Sequence, residues 1–374
     1  MTTATRHKSA RRTGVDWFLF FLKFAMFSVI GFGLFAFTLQ QIDPNNWLAQ
    51  QINDDATGLT ADQFEGLVIA GLSQGSMYGL IALGYSMVYG VLGFINFAHG
   101  EVFMVGAMTG MITSNKLAEA GAWESNFVPS LLFIVVLAIL VSTFTAVVME
   151  RVAYRPLRGA PRLIPLITSI GISFFIQNVS VVLLGPGAKS YPDLPSWWTE
   201  TQSIWFLDVQ RTRLLVVLVA GVSMAVLWYL VERTKTGKAM RAVAEDKEIA
   251  SLMGINVNRI IVTTFAIGGA MAGVAGILWG VMFRSVVATT GFLPGIKAFS
   301  AAVVGGIGNL GGAMAGGISI GSAESIAPLI ILEPLGVNGA SQLRDAVAFA
   351  VLILVLLVKP TGLFGERLSS EDRA

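Results

Sequence analysis

The residues of this chain that could act chemically stand inside segments otherwise suited to lipid. From Gly71 to Gly106 the sequence reads GLSQGSMYGLIALGYSMVYGVLGFINFAHGEVFMVG and carries Ser73, Gln74, Ser76, Tyr78, Tyr85 and Tyr89 on an apolar background. It then breaks at an Asn-Phe-Ala-His-Gly-Glu turn that supplies Asn96, His99 and Glu101. A further carboxylate, Glu324, lies among small residues in GGISIGSAESIAPL. Polar groups at membrane depth are costly unless they face another helix or a water-filled path. Their chemistry is therefore hydrogen bonding, either to a passing polar solute or to a neighbouring helix. Covalent chemistry has little to work with. The chain has no cysteine, which removes thiol nucleophiles, thiolate metal sites and disulfides. Two histidines, His7 and His99, do not make a histidine-rich metal centre.

For single residues the readings stay open. His99 is either hydrogen-bonded structure or part of a gate or partner contact near the inner face. Glu324 must be paired, protonated or hydrated if buried, so it serves either a conduit or helix pairing. Ser73, Gln74, Ser76 and Tyr78 cover more than one helix face, so not all of them can line a pore.

These residues need helices to hold them. Of 374 residues 54% are hydrophobic and 13% charged, and the mean hydropathy is +0.71. A soluble domain carries about 25% charge, and roughly 20 apolar residues span a bilayer. The chain reads as an all-α polytopic membrane protein. About ten apolar segments are visible, near 15–39, 65–91, 101–115, 128–149, 163–184, 211–231, 260–283, 297–310, 312–332 and 344–358. The third and eighth are short enough to be half-helices. No stretch between spans approaches the size of an independent soluble core.

Val15 to Leu39 follows the basic Arg6, Lys8, Arg11 and Arg12 and is too long for a signal-peptide core, so it reads as a retained first helix, with Lys23 snorkelling. Two units result: residues 1–64, an extra helix with an acidic outer loop, and a core over 65–374. With both ends inside, 17 Lys and Arg face the cytoplasm; six face outward, namely Lys116, Lys189, Arg211, Arg213, Arg284 and Lys297. That asymmetry gives an N-in, C-in orientation. The tryptophans Trp197, Trp198 and Trp205 suit the outer interface. A net charge of +2 implies no nucleic-acid footprint.

Glycine is abundant, at 41 residues, and stands within the apolar runs. Gly71, Gly75 and Gly79, then Gly269 and Gly273, Gly276 and Gly280, and Gly308, Gly312 and Gly316 recur every four residues, a spacing that lets helices approach closely.

The most charged segment, ERTKTGKAMRAVAEDKEIASLMGINVNR over 232–259, has good helix formers from Lys238 to Met253 and a stop at Gly254. It is either a solvated connector or a docking element. Within it Glu248-Ile-Ala-Ser-Leu-Met-Gly254 resembles the E-A-A-x-x-x-G loop of ABC importer permeases, with Ile249 in place of the first Ala. GSMYGLIALGYSMVYGVLGFINFAHGE (75–101), ERVAYRPLR (150–158), RAVAEDKEIASLMGINVNRI (241–260), KAFSAAVVGGIGNLGGAMAGG (297–317) and KPTGLFG (359–365) together resemble the branched-chain amino acid ABC transporter permease family, in order, over roughly 65–365. Glu101 stands where that family commonly has Asp, and residues 1–64 are additional.

The resemblance implies a type II importer-like permease in a bacterial inner membrane. It would pair with a second, homologous permease and with two cytoplasmic ATPases, which bind the ATP and Mg that this chain does not. An extracytoplasmic binding protein would deliver a branched-chain or related amino acid. Arg241, Glu245, Asp246, Glu248, Ala250 and Gly254 would form the coupling loop, with Glu245, Asp246 and Glu248 pairing with basic ATPase residues. Ser73, Gln74, Ser76, Tyr78, Tyr85, Asn96, His99, Glu101 and Glu324 are the candidates for pathway or gate. Competing readings are an ion-coupled secondary transporter, which would lean on Glu324, a passive channel, and an intramembrane enzyme.

Overall fold

The computed structural model describes residues 14–42, 60–161, 163–204, 207–337 and 339–365. The basic N-terminal residues, most of the acidic 40–64 loop, Trp205 and the end of the C-terminal tail lie outside these.

Twelve helices carry the fold among the described residues. They are α1 (Gly14–Ile42), α2 (Ala61–Leu92), α3 (His99–Glu119), α4 (Phe127–Met149), α5 (Leu163–Leu184), α6 (Arg211–Arg233), α7 (Lys235–Glu245), α8 (Lys247–Leu252), α9 (Val257–Phe283), α10 (Phe292–Gly305), α11 (Leu310–Ala327) and α12 (Arg344–Val358). Local chemistry sets several ends. Thr60 and Gln63 form a reciprocal capping box at the start of α2, and Gly93 ends it in the left-handed region at φ 78°. α4 runs on through a π turn, Glu150–Tyr154, and a 3-10 turn at Arg155–Leu157. α11 continues likewise through Pro328–Leu332 and Glu333–Leu335.

Each of the ten apolar segments overlaps a helix, but among the described residues eight spans are long and apolar enough to cross a membrane. α3 is less apolar. α10 has 14 residues, about 21 Å of helix, short of a hydrocarbon core of about 30 Å.

The helices form an inner and an outer set. α2 packs along α11, α9 lies across α4, α3 and α2, and the α10–α11 hairpin closes against α2. α1, α4, α5, α6 and α12 surround this set and expose apolar side chains such as Phe24, Phe144, Phe175, Leu218 and Ile353. At the end where α6 begins there are two small antiparallel ladders: β1 (Lys189–Ser190) with β4 (Ser285–Val286), and β2 (Thr201–Ile204) with β3 (Leu207–Gln210). The apolar pattern of the sequence predicts no strands. The Trp197 and Trp198 rings meet there at 4.8 Å, tilted by 30°, and Trp123 Nε1 donates to the Asp193 carbonyl.

Two expectations change. Lys297 is not a loop charge but a buried residue within α10, 5% exposed. The helix expected from Lys238 to Met253 is two helices, broken at Asp246, where φ is −151°.

Candidate functional site

Lys297 organises a cluster of charged and polar groups inside the bundle. Its Nζ lies 2.6 Å from Glu324 Oε1 on α11 and 2.5 Å from Asp345 Oδ1 on α12. On α2, Gln74 Nε2 donates to Glu324 Oε1 at 3.2 Å and to Tyr78 Oη at 2.7 Å, and Lys297 Nζ lies over the Tyr78 ring. Four helices thus meet at one ammonium group. Glu324 is buried and Asp345 half exposed, so one carboxylate anchors the lysine and the other links it toward the surface. Glu324 thus has a cationic partner on a neighbouring helix.

The glycine face of α2 makes the meeting possible. A Cβ at Gly75 would stand 2.7 Å from the Ile318 Cα, closer than packed atoms tolerate. Gly71 and Gly79 meet α11 in the same way, and Gly317 and Gly321 answer from the other side. Gly269 and Gly273 face α4, Gly276 faces α3, and Gly280 faces Tyr191. Gly312 and Gly316 face α10. Gly308 does not pack helices. It lies in the α10–α11 turn at φ 94° with open space where a Cβ would be, and its N–H donates to Ser86 Oγ. Ser73 and Ser76 are buried and donate to carbonyls one turn back in their own helix, so they face packed neighbours.

The turn before α3 is also buried. Asn96 Oδ1 accepts from the Ala98 N–H and from Tyr154 Oη at 2.6 Å, fastening the turn to the end of α4. His99 fills the gap left by Gly84 and meets the Tyr85 ring edge-on at 4.9 Å. Glu101 Oε1 accepts from Ser173 Oγ and Gln177 Nε2 on α5. Asn96, His99 and Glu101 are each 2% exposed or less, so as placed none is open to a docking protein.

The loop between α6 and α9 is the exposed counterpart. Thr234 caps α7 through the Gly237 N–H. Asp246 caps α8, its Oδ1 accepting from the Glu248 and Ile249 N–H groups at 2.7 and 2.9 Å. Gly254 closes α8 at φ 82°, with Gly254 N–H to Ser251 O and Ile255 N–H to Ala250 O, the paired bonds of a Schellman end. Arg241 ties the loop back to the Val231 carbonyl and to Glu232. Ala250 is buried against the bundle, whereas Ile249, Leu252 and Met253 are 59%, 87% and 77% exposed. All three acids expected to meet a partner, Glu245, Asp246 and Glu248, are exposed, and Asp246 Oδ1 also caps α8.

Behind the loop is a groove of about 660 Å³ lined by Arg158, Lys247, Asn258 and the 157–160 turn. Arg158 is fixed by Glu150 and Asn258, and Lys247 Nζ donates to the Leu92 carbonyl at the end of α2. Burial, and then the nearby Arg158, hold the Lys247 ammonium below the usual lysine range.

Sequence reasoning missed Lys297 and Asp345 as partners of Glu324, and Ser173 and Gln177 as partners of Glu101. A signal existed for the second pair. Ser169, Ser173, Gln177 and Ser180 recur at four- and three-residue spacing on an otherwise apolar helix, and all four are buried.

Eight membrane-length helices among the described residues, with polar groups buried between them and a charged, capped loop at one end, define a polytopic helical membrane protein. The family model for the branched-chain amino acid transport system permease component matches residues 67–356. The permease protein BraD of the high-affinity branched-chain amino acid transport system of Pseudomonas aeruginosa is 42% identical over 301 residues, covering 80% of this chain and 94% of BraD. LivH of Escherichia coli K12, of the same description, is 40% identical over 297 residues, covering 79% and 93%. A probable LivH of Methanocaldococcus jannaschii is 28% identical over 312 residues, covering 82% and 95%. The chain belongs to the family of branched-chain amino acid transport permeases and is a permease subunit.

Proposed function

We propose that this permease works in an ATP-driven importer. In this reading it pairs with a second homologous permease, two cytoplasmic ATPases that bind ATP and Mg, and an extracytoplasmic binding protein that delivers branched-chain or related amino acids. The assembly lies in the bacterial inner membrane with both ends of this chain in the cytoplasm. The observation that carries the reading is the α7–α8 loop, a capped and closed element that presents Ile249, Leu252 and Met253 to solvent. Three large apolar side chains on and beside a six-residue helix are costly in water unless a partner covers them. The 241–254 segment is therefore the coupling element, and Glu245 and Glu248 flank the apolar contact as its polar rim.

The proposed cycle needs a body with two packed arrangements. ATPase closure moves α8, and Ala250, buried beneath it, passes the motion to the bundle. The Lys297 cluster and the Glu101–Ser173–Gln177 contact are the polar links that hold one arrangement.

Affinity purification of the chain from native membranes in mild detergent, with mass spectrometry of what accompanies it, tests the proposal. Two ATPase subunits and a second permease are expected. Reproducible recovery of the folded chain alone would overturn it.

A further inference from the structure

A second cavity, of about 460 Å³, opens at the end of the bundle where α1 finishes and α2, α6 and α12 begin. α1 supplies Phe37 and Gln40, and α2 supplies Leu67 and Ala70. Arg213 at the start of α6 and Arg344 at the start of α12 also line it. Three observations converge on it. First, the two guanidinium groups are underused: Arg213 makes one hydrogen bond, to the Gly66 carbonyl, and Arg344 makes none among the described residues. Second, Gln40 is only 5% exposed, yet its Nε2 has no hydrogen-bond partner. A buried donor without an acceptor is uncommon in a native structure and needs an unseen group to satisfy it. Third, among the described residues the ionisable groups on the lining, Arg213, Arg344 and Glu333, sum to one positive charge.

The occupant must therefore bring acceptor oxygens and negative charge to Arg213, Arg344 and Gln40. It must also bring apolar matter to Phe37, Leu67 and Leu329. The wall formed by α1 indicates its source. Only 6% of the α1 span is buried, and its Phe32 and Phe35, on the face turned away from the cavity, are 52% exposed, so this helix meets lipid. A cavity between a lipid-facing helix and a packed core, with arginines at its mouth, has the form of a headgroup pocket.

We infer that this cavity binds one membrane phospholipid, its phosphate between Arg213 and Arg344, an oxygen accepting from Gln40 Nε2, and its acyl chains along α1. The helix that completes the pocket precedes the 67–356 region shared with the permease family. The added helix thereby fastens the core to a specific lipid.

The test is native mass spectrometry of the full chain purified in mild detergent. Wild type should retain one phospholipid per chain. Retention should fall at least tenfold in R213A/R344A and in A70F, which fills the cavity without removing charge. R211A, whose guanidinium pairs with Glu200 instead, should behave as wild type. After delipidation, added phosphatidylglycerol or phosphatidylethanolamine should rebind. If the charge variant fails to fold, A70F decides alone. Equal retention in wild type and A70F overturns the site. Displacement of the lipid by inorganic phosphate would reduce it to a free-anion site, and displacement by labelled leucine would make it a substrate subsite; either refutes the lipid assignment. No step measures transport, so this outcome is independent of the importer reading.

Discussion

Replacing Lys297 by methionine keeps most of the side-chain volume and removes the charge at the centre of the bundle. Glu324, 4% exposed at its side chain, then loses its cation and keeps only the Gln74 amide. Removing one partner of a buried ion pair costs about 3–5 kcal/mol, because the other charge stays desolvated. Asp345, 51% exposed at its side chain, is rehydrated instead, so its share is about 0–1 kcal/mol. K297M should therefore lose about 3–5 kcal/mol, nearly all of it through Glu324, while D345N should lose no more than about 1 kcal/mol. In a chain of this size that is a fall of roughly 4–6 °C in Tm for K297M, read by size-exclusion after heating in detergent. K297M/E324Q removes both buried charges, and it should recover at least half of the loss, since replacing a whole buried pair is often close to neutral. A double variant as unstable as K297M, or a K297M as stable as D345N, would refute the assignment of the cost to an uncompensated Glu324.

Gly254→Val should abolish uptake while leaving the chain in the membrane, and Gly254→Asn should largely preserve it. Space is open beside Gly254, so the penalty is the left-handed backbone, about 1–2 kcal/mol for most residues and less for asparagine; equal uptake by the two variants would count against it. Asp246→Asn keeps an acceptor for the Glu248 and Ile249 N–H groups and should transport nearly as wild type, whereas Asp246→Ala should lose about 1 kcal/mol of local stability and show faster amide exchange over 247–252. Loss of transport in Asp246→Asn would restore the charge-pairing role instead. Because its ammonium is held down by burial and by Arg158, Lys247 carries more neutral amine at a given pH than an ordinary lysine, so its reductive methylation should rise at a pH below the usual lysine range. R158Q should move that rise upward; an unchanged profile would exclude Arg158 as a cause.

What could be read from the sequence was what the chain writes locally. Apolar runs placed the helices because the bilayer requires about twenty such residues wherever the chain crosses. Gly254 was readable as a stop because only a residue tolerant of positive φ ends a helix that way. Asp246 was not, because it stands among strong helix formers, and its capping role appears only once two backbone N–H groups turn toward it. Lys297 was hidden for the opposite reason. A lysine at the edge of a short Gly-rich segment looks like a loop charge, and its partners come from separate helices, at positions 324 and 345. Charge counting assigns such a residue to a side of the membrane. It has no means of assigning it to the interior.

The two sites are joined by one element. α2 carries Gln74 and Tyr78 within the lysine cluster, and at its far end the Leu92 carbonyl receives Lys247 from the α7–α8 loop. The roughly eighteen residues between span about 27 Å of helix. In its first half Gly71, Gly75 and Gly79 lie on α11, with Met314 covering Gly79, and beyond them His99 of α3 fills the space at Gly84. Side chains seated in such gaps resist sliding, so α2 is held against α11 and α3. A displacement of the loop at Leu92 therefore carries α2 and the helices interlocked with it toward the Lys297 cluster as one body. The contact there that yields at least cost is the half-exposed Asp345, not the buried Glu324. Movement driven from the charged end is thus expected to loosen α12 from α10 at the opposite end while α2, α10 and α11 stay together.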